Sequence, residues 1–334
     1  MLFDEVSARQ GEPWFEDGNL VLLAEDHTGF RIHRGVLARQ SEVFESMLSM
    51  PSPNGCQTVE MHDKSNELAT LLEAIYDGES FHIESLEDFF KTSAVLRLAT
   101  KYLMKNIRRK TIKALTEAWA CTLEGHDRMV ARAISDPQTE GQTSYPFVHP
   151  IHVVNLAREV DVRLILPSAI YFLSMYPFSD IQRADHPKLT VESQTGLPKP
   201  SSQLSYEDVA NYTLMYQHRI DFILKFCRNL NGRQPSPLCR RNTHLAVIAD
   251  ESCKVAFARL ASRVSRSWLS RTGSLHWMSQ TVKWSESQDI GLCPECKADY
   301  RNFVENVRRE EWDRLPSVVG LPPWAELLES DLPN

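Results

Sequence analysis

Cys293-Pro294-Glu295-Cys296 is the pair whose residue types and spacing say most about chemistry. Two thiolates at this separation can grip one Zn²⁺, but a structural zinc site takes four ligands. Cys239 and Cys253 would complete the set, with Cys227 or His244 as substitutes. Their spacing matches no standard finger. A redox pair at Cys293 and Cys296 would need a strand–helix–strand setting, and the surrounding pattern shows none. The third reading is a pair of partly buried thiols at a helix start.

The other candidates have bland readings beside the sharp ones. His33 stands between a strand and a helix, and no base or nucleophile partner is recognisable near it. It is expected to bond backbone at that junction and fix the turn. The face formed by Lys105, Arg108, Arg109 and Lys113 could meet phosphate or an acidic partner. The acidic chain favours a solvated helix side instead. Trp312, Leu321, Trp324 and Leu327 are expected to pack on their own domain, because large exposed apolar patches are uncommon. With 13 Gly there is no phosphate-cradling loop, no His-Glu-x-x-His helix and no Gly-x-Ser-x-Gly elbow. The expectation is a protein that is not an enzyme.

The elements that must position these residues come from a chain of 334 residues, which suggests two or three domains. Hydrophobic content of 42% and charged content of 24% are ordinary for globular proteins. A formal net charge of −7 argues against non-specific nucleic-acid binding. No run approaches the roughly 20 apolar residues of a membrane span. The longest, Leu164 to Leu173, is short and contains Pro167 and Ser168. The acidic N-terminus lacks the pattern of a secretory signal. Seven cysteines is an odd number. Together these features point to a reducing compartment, cytoplasm or nucleus, with free or metal-bound thiols.

Met1 to Glu16 reads as a loose arm. Leu20 to Ala24, a Gly-containing turn, and a strand alternating through Phe30 and Ile32 form a hairpin signal, with Gly29 at the position tolerating positive φ. Phe44, Met47 and Leu48 mark a helical stripe, and Thr58 to Met61 fits a short strand. Leu68, Leu71, Leu72 and Ile75 form a helix core stripe that Gly78 stops. Ser85-Leu86-Glu87-Asp88 resembles a capping box before the stripe Val95, Leu98, Ala99, Tyr102. The next helix turns Met104, Ile107 and Leu115 inward. A polar linker, a helical pattern through Val153 to Ala157, and the apolar segment at Leu164 to Leu173 follow. Phe178 to Gln203, rich in Pro, Ser and Thr, reads as an exposed loop. Ser205 opens a long helix that closes near Gly232, and Ala246 to Trp284 is hard to read. Tyr300, Phe303, Val304 and Val307 restore a helical stripe, and Trp312 through Trp324 reads as an apolar, Pro-rich tail.

The first third resembles the BTB/POZ family. The resemblance rests on Phe30-Arg31-Ile32-His33-Arg34-Gly35-Val36-Leu37-Ala38 with Ser41 and Phe44, on Leu71-Leu72-Glu73-Ala74-Ile75-Tyr76-Asp77-Gly78, and on Leu96-Arg97-Leu98-Ala99-Thr100-Lys101-Tyr102. The rest is similar to the expanded BTB proteins of mushroom-forming fungi, through Leu164-Ile165-Leu166-Pro167, the late Cys-x-x-Cys and Trp312-Asp313-Arg314-Leu315-Pro316. The fold expected is α+β: an arm at residues 1–14, a BTB/POZ fold at 15–123, and a mainly helical region at 124–334 with exposed loops near 136–148 and 178–204. The resemblance implies a non-enzymatic interaction module that forms a homodimer or binds a protein partner. A substrate adaptor of a cullin ubiquitin ligase and a transcriptional regulator are the alternatives. The hydrophobic-x-Glu motif of cullin-binding members is missing from Met50-Pro51-Ser52-Pro53-Asn54-Gly55-Cys56. Asp17 and Arg34 are the nearest matches to the charged dimer groove of regulatory members. Val36, Leu37, Val43, Phe44 and Met47 would supply the apolar contact. No cofactor is expected apart from structural zinc, and neither membrane nor direct nucleic-acid binding.

Overall fold

The structure, a computed structural model, describes residues 9–49, 56–78, 81–135, 148–239, 241, 252–268 and 273–333. Three apolar cores run through it in chain order. The first is built on a four-stranded mixed sheet in the order β1-β3-β2-β4. Its strands are β1 (Arg9–Gln10), β2 (Leu20–Leu23), β3 (Thr28–Ile32) and β4 (Gln57–Glu60). β2 runs antiparallel to β3 and parallel to β4, and β1 runs parallel to β3. Alternation places Leu20, Leu22, Phe30 and Ile32 on the buried face. In its described part the arm expected to be loose is this edge strand, and Gly11 N donates to Gly29 O at 2.9 Å. A side chain at position 11 would collide with Phe30 and Thr28, 2.7 Å from its Cβ.

The turn departs from expectation in one detail. The positive φ falls on His27, at 61°, and Gly29 lies inside β3. Asp26 makes this turn workable, because its Oδ1 accepts from Thr28 N at 3.1 Å. Ser65 Oγ donates to its Oδ2 at 2.8 Å. Burial is the largest single influence and raises the Asp26 carboxyl, but the hydrogen bonds from Ser65 and Thr28 together outweigh it and lower the group.

The single helical stripe expected after the hairpin is two short helices, α1 (Arg34–Gln40) and α2 (Glu42–Leu48). Ser41 splits them. Its Oγ accepts from Phe44 N at 3.1 Å and donates to Tyr102 O at 2.5 Å. The break rotates α2, so Phe44 and Leu48 are buried while Met47 is 37% exposed. α3 (Ser65–Tyr76) follows β4 and ends at Gly78, whose φ is 68°. α4 (Leu86–Lys101) and α5 (Lys105–Ala118) then close the first core.

α4 belongs to two cores at once. Val95, Leu98 and Ala99 pack on the sheet unit, while Phe89, Phe90, Ala94 and Leu96 pack into the second core. Nine of its 16 residues are buried, a wider face than a helix lying on one core needs. The second core is helical: α6 (Leu123–Ser135), α7 (Pro150–Glu159) and α8 (Leu166–Leu173). Every residue of α8 is buried, so its apolar run is a central core helix. No described helix is long and apolar enough to cross a membrane.

The stretch expected to be an exposed loop, 178–204, is anchored instead. It contains α9 (Phe178–Arg183) and α10 (Pro187–Thr190), and it buries Ile181, Leu189 and Leu197. Glu87 accepts from Ser193 Oγ at 2.7 Å and from Thr195 Oγ1 at 2.5 Å. Arg97 Nη1 donates to Pro198 O at 2.9 Å. The segment therefore ties the sheet unit to the second core. Of the other expected loop, residues 136–147 lie outside the described residues.

α11 (Tyr206–Asn231) and α14 (Pro294–Val318) are long enough to run through two cores. Tyr212, Met215, Trp312 and Leu315 lie in the second, and Phe226, Leu230, Tyr300 and Val304 in the third. α12 (Cys253–Ser267) and α13 (Ser274–Glu286) complete that third core. The expected Pro-rich tail is the end of α14 followed by α15 (Trp324–Asp331). Trp324 stacks on Trp312 with centroids 5.2 Å apart, and Leu327 is fully buried.

Candidate metal centre and contact face

Three separate segments bring four thiols together in the third core. Cys239 follows the turn after α11. Cys253 is the first residue of α12, whose cap is Ser252. Cys293 is the N-cap of α14, Pro294 its first residue, and Cys296 lies within its first turn. Proline suits this place because its missing N–H would have no partner there. Gly291, at φ 76°, turns the chain into that cap. Arg241 Nη1 donates to Gly291 O at 2.9 Å and fastens the Cys239 turn against it.

The sulfurs of Cys239, Cys253, Cys293 and Cys296 all lie within 4.8 Å of one another, and the cluster could hold a metal ion. All four residues are buried, at 8%, 1%, 3% and 0% exposure. Every sulfur is met by a backbone amide. Ser236 N donates to Cys296 Sγ at 3.4 Å, and Cys293 N to Cys253 Sγ at 3.4 Å. The Arg241 amide donates to Cys239, and the Cys296 amide to Cys293. These donors are invisible in the sequence because position 236 carries no motif. Of the substitutes considered, Cys227 lies outside the cluster and bonds Ser265, and His244 lies outside the described residues.

The thiols do not share one ionisation behaviour. Burial pushes Cys293 up to about 11 and raises Cys296 as well. At Cys239 burial also opposes ionisation, but the Arg241 amide and the neighbouring thiols outweigh it and lower the thiol. Without a cation, like charges in contact oppose one another's ionisation, so the thiols cannot all ionise together. A divalent ion inverts this logic by deprotonating the thiols that coordinate it.

The expected contact residues do not share one environment. Leu37 and Phe44 are each 1% exposed and belong to the first core. Val36 and Val43 are half-buried, and Met47 is open to solvent. Asp17 and Arg34 do not pair. Asp17 Oδ1 is 3.3 Å from His33 Nε2. Arg34 donates through its backbone to Asn19 Oδ1 at 2.8 Å and through its guanidinium to Leu48 O. The backbone partner expected for the His33 ring is instead the Tyr76 hydroxyl, 3.1 Å from Nδ1. The His33 amide donates to the same hydroxyl at 2.9 Å, so the residue does fix the strand–helix junction. Arg108 leaves the expected basic face, its guanidinium reaching Val160 O at 3.0 Å.

A polar cleft of about 640 Å³ lies between α3, α4, α7 and residues 198–201. Arg97 donates to Glu159 at 2.8 Å, Arg158 to Asp208 at 2.7 Å and Lys199 to Glu192 at 2.6 Å. Ser201 Oγ donates to Gln203 O, and His152 faces the Ser201 carbonyl. No nucleophile meets a base among these lining groups. The second core also holds neutral histidines. Burial pushes His126 down to about 3, His149 to about 2 and His152 to about 4.

Residues 15–118 match the BTB/POZ domain, and that stretch ends where α5 ends. The chain therefore carries a BTB/POZ domain followed by a mostly helical region. Such a domain is a protein–protein interaction module. No curated protein and no solved structure matches the chain.

Proposed function

We propose that this is a non-enzymatic interaction protein whose BTB/POZ domain pairs with a second copy or with another protein. The observation that carries this reading is the domain match over residues 15–118. Val36, Val43 and Met47 on α1 and α2, with Asp17 and Arg34 beside them, are the contact residues. Leu37 and Phe44 support that face from beneath. The helical remainder offers a second surface, and its motifs resemble the expanded BTB proteins of mushroom-forming fungi. In the polar cleft, Arg97, Arg158 and Lys199 are each paired with a carboxylate. Light scattering of the full chain tests self-association. A mass near twice 38.2 kDa is expected, and a strict monomer at high micromolar concentration removes the homodimer.

Recruitment of a cullin is the weaker reading, because the Met50 to Cys56 loop lacks the hydrophobic-x-Glu motif; residues 50–55 lie outside the described residues. Co-purification with a cullin would revive it. A scaffold for transcriptional regulation is a further alternative. The four thiols are read as a structural zinc site, since zinc favours four sulfur ligands and all four positions can be filled by protein. Seven free cysteines fit a reducing cytoplasm or nucleus.

A further inference from the structure

The third core differs from the other two in what fills its centre. Cys239, Cys253, Cys293 and Cys296 are part of its buried interior. At the N-termini of α12 and α14, apolar side chains give way to sulfur. The Cys239 and Cys293 sulfurs are 3.7 Å apart. A disulfide needs about 2.05 Å. A tetrahedron of sulfurs about 2.3 Å from a central zinc has edges of about 3.8 Å. The spacing of this pair is thus that of two ligands of one ion.

The surroundings suit an anionic cluster. Two helices, of 15 and 25 residues, aim their N-termini at it. Each N-terminus carries roughly half a positive charge. Each sulfur also accepts one backbone amide. Such outer partners orient ligands and hold their charge. The ligands come from three segments separated in sequence, so one ion would fasten together the turn that follows α11, the start of α12 and the start of α14.

We propose that zinc bound by these four cysteines is the clamp that folds the C-terminal lobe, while the BTB/POZ domain and the second core fold without it. The inference rests on the zinc reading above and extends it to a division of the molecule. Without the ion the lobe must bury four thiols against one another. The parts that depend on the clamp are α12, α13, the C-terminal half of α11 and the N-terminal half of α14. The other halves of α11 and α14 are held by the second core through Met215 and Leu315.

Native mass spectrometry of the full chain after zinc reconstitution under reducing conditions is expected to show one zinc per chain. Cobalt in its place should give the visible bands of a tetrahedral all-sulfur site. Cys253→Ser should weaken zinc by more than the ~100-fold that loss of an outer partner costs. Cys239→His should retain zinc, and Cys227→Ser should change nothing. Limited proteolysis after chelation should cut α12 and α13 first and leave residues 15–118 intact. A chain that binds no zinc overturns both the zinc reading and the clamp. Zinc bound at unit stoichiometry, with α12 and α13 equally resistant after its removal, overturns the clamp alone.

Discussion

The BTB/POZ domain and the C-terminal lobe solve the same problem with different materials. The first closes its core with a sheet and helices that interlock Leu22, Phe30, Phe44 and Leu72, all at most 1% exposed. Its polar junctions are small and local: Ser41 caps α2, and Tyr76 holds His33. Among its described residues the lobe has helices and no strand, and where three of its segments meet it places sulfur. Apolar packing is present from the moment the chain collapses. A thiol cluster becomes cohesive only with a cation at its centre. On the proposed zinc reading, the difference separates a domain whose stability is its own from a lobe whose apolar core is completed by an ion.

The largest effect expected is on the lobe. Cys296→Ser should abolish stoichiometric zinc and lower the melting temperature of the lobe while the BTB/POZ domain keeps its circular dichroism. A single unfolding transition that shifts as a whole would mean the two regions are not separable.

Acid should act next, and mainly through the second core. His126, His149 and His152 titrate at about 3, 2 and 4 in the folded chain. An unfolded histidine titrates near 6.5, so between these values the unfolded state binds more protons. Stability is therefore complete above about pH 6.5 and falls as pH drops toward 4. Three such groups give a slope of up to about 4 kcal/mol per pH unit. Denaturant melts at pH 7 and pH 5 measure it, and equal midpoints would refute the buried-histidine account.

A core truncation sharpens the contrast from the other side. Phe30→Ala should cost about 3–5 kcal/mol in the BTB/POZ domain and leave zinc content unchanged. Loss of metal in that variant would show that the lobe leans on the domain. The smallest effect comes from matched helix caps. Ser85 Oγ accepts from Asp88 N, and Ser205 Oγ accepts from Asp208 N, each at 3.1 Å. Replacing either by Ala should cost about 1 kcal/mol in chemical denaturation.

Much of this was legible because the signals were local. The hairpin, the stop at Gly78 and both Ser caps depend on a few neighbouring residues, and they lie where the pattern puts them. Cys293 and Cys296 were legible for the same reason. Their partners were not unique, because Cys239 and Cys253 are joined to them only through the packing of α11, α12 and α14. Composition misled at 178–204, where Pro and Ser mark an irregular backbone but say nothing of Leu189 and Leu197 reaching into the core. Periodicity misled at Met47, because Ser41 interrupts the helix and changes the face that α2 buries. That α4 serves two cores follows from tertiary packing, which no local pattern encodes.

Hydrogen exchange of the full chain, zinc-loaded and then zinc-stripped under reducing conditions, tests the division most directly. Protection should be lost in α12, α13 and the N-terminal half of α14, and kept in β2, β3, α3 and α4. Unchanged protection in the lobe, or equal loss in both regions, would contradict it.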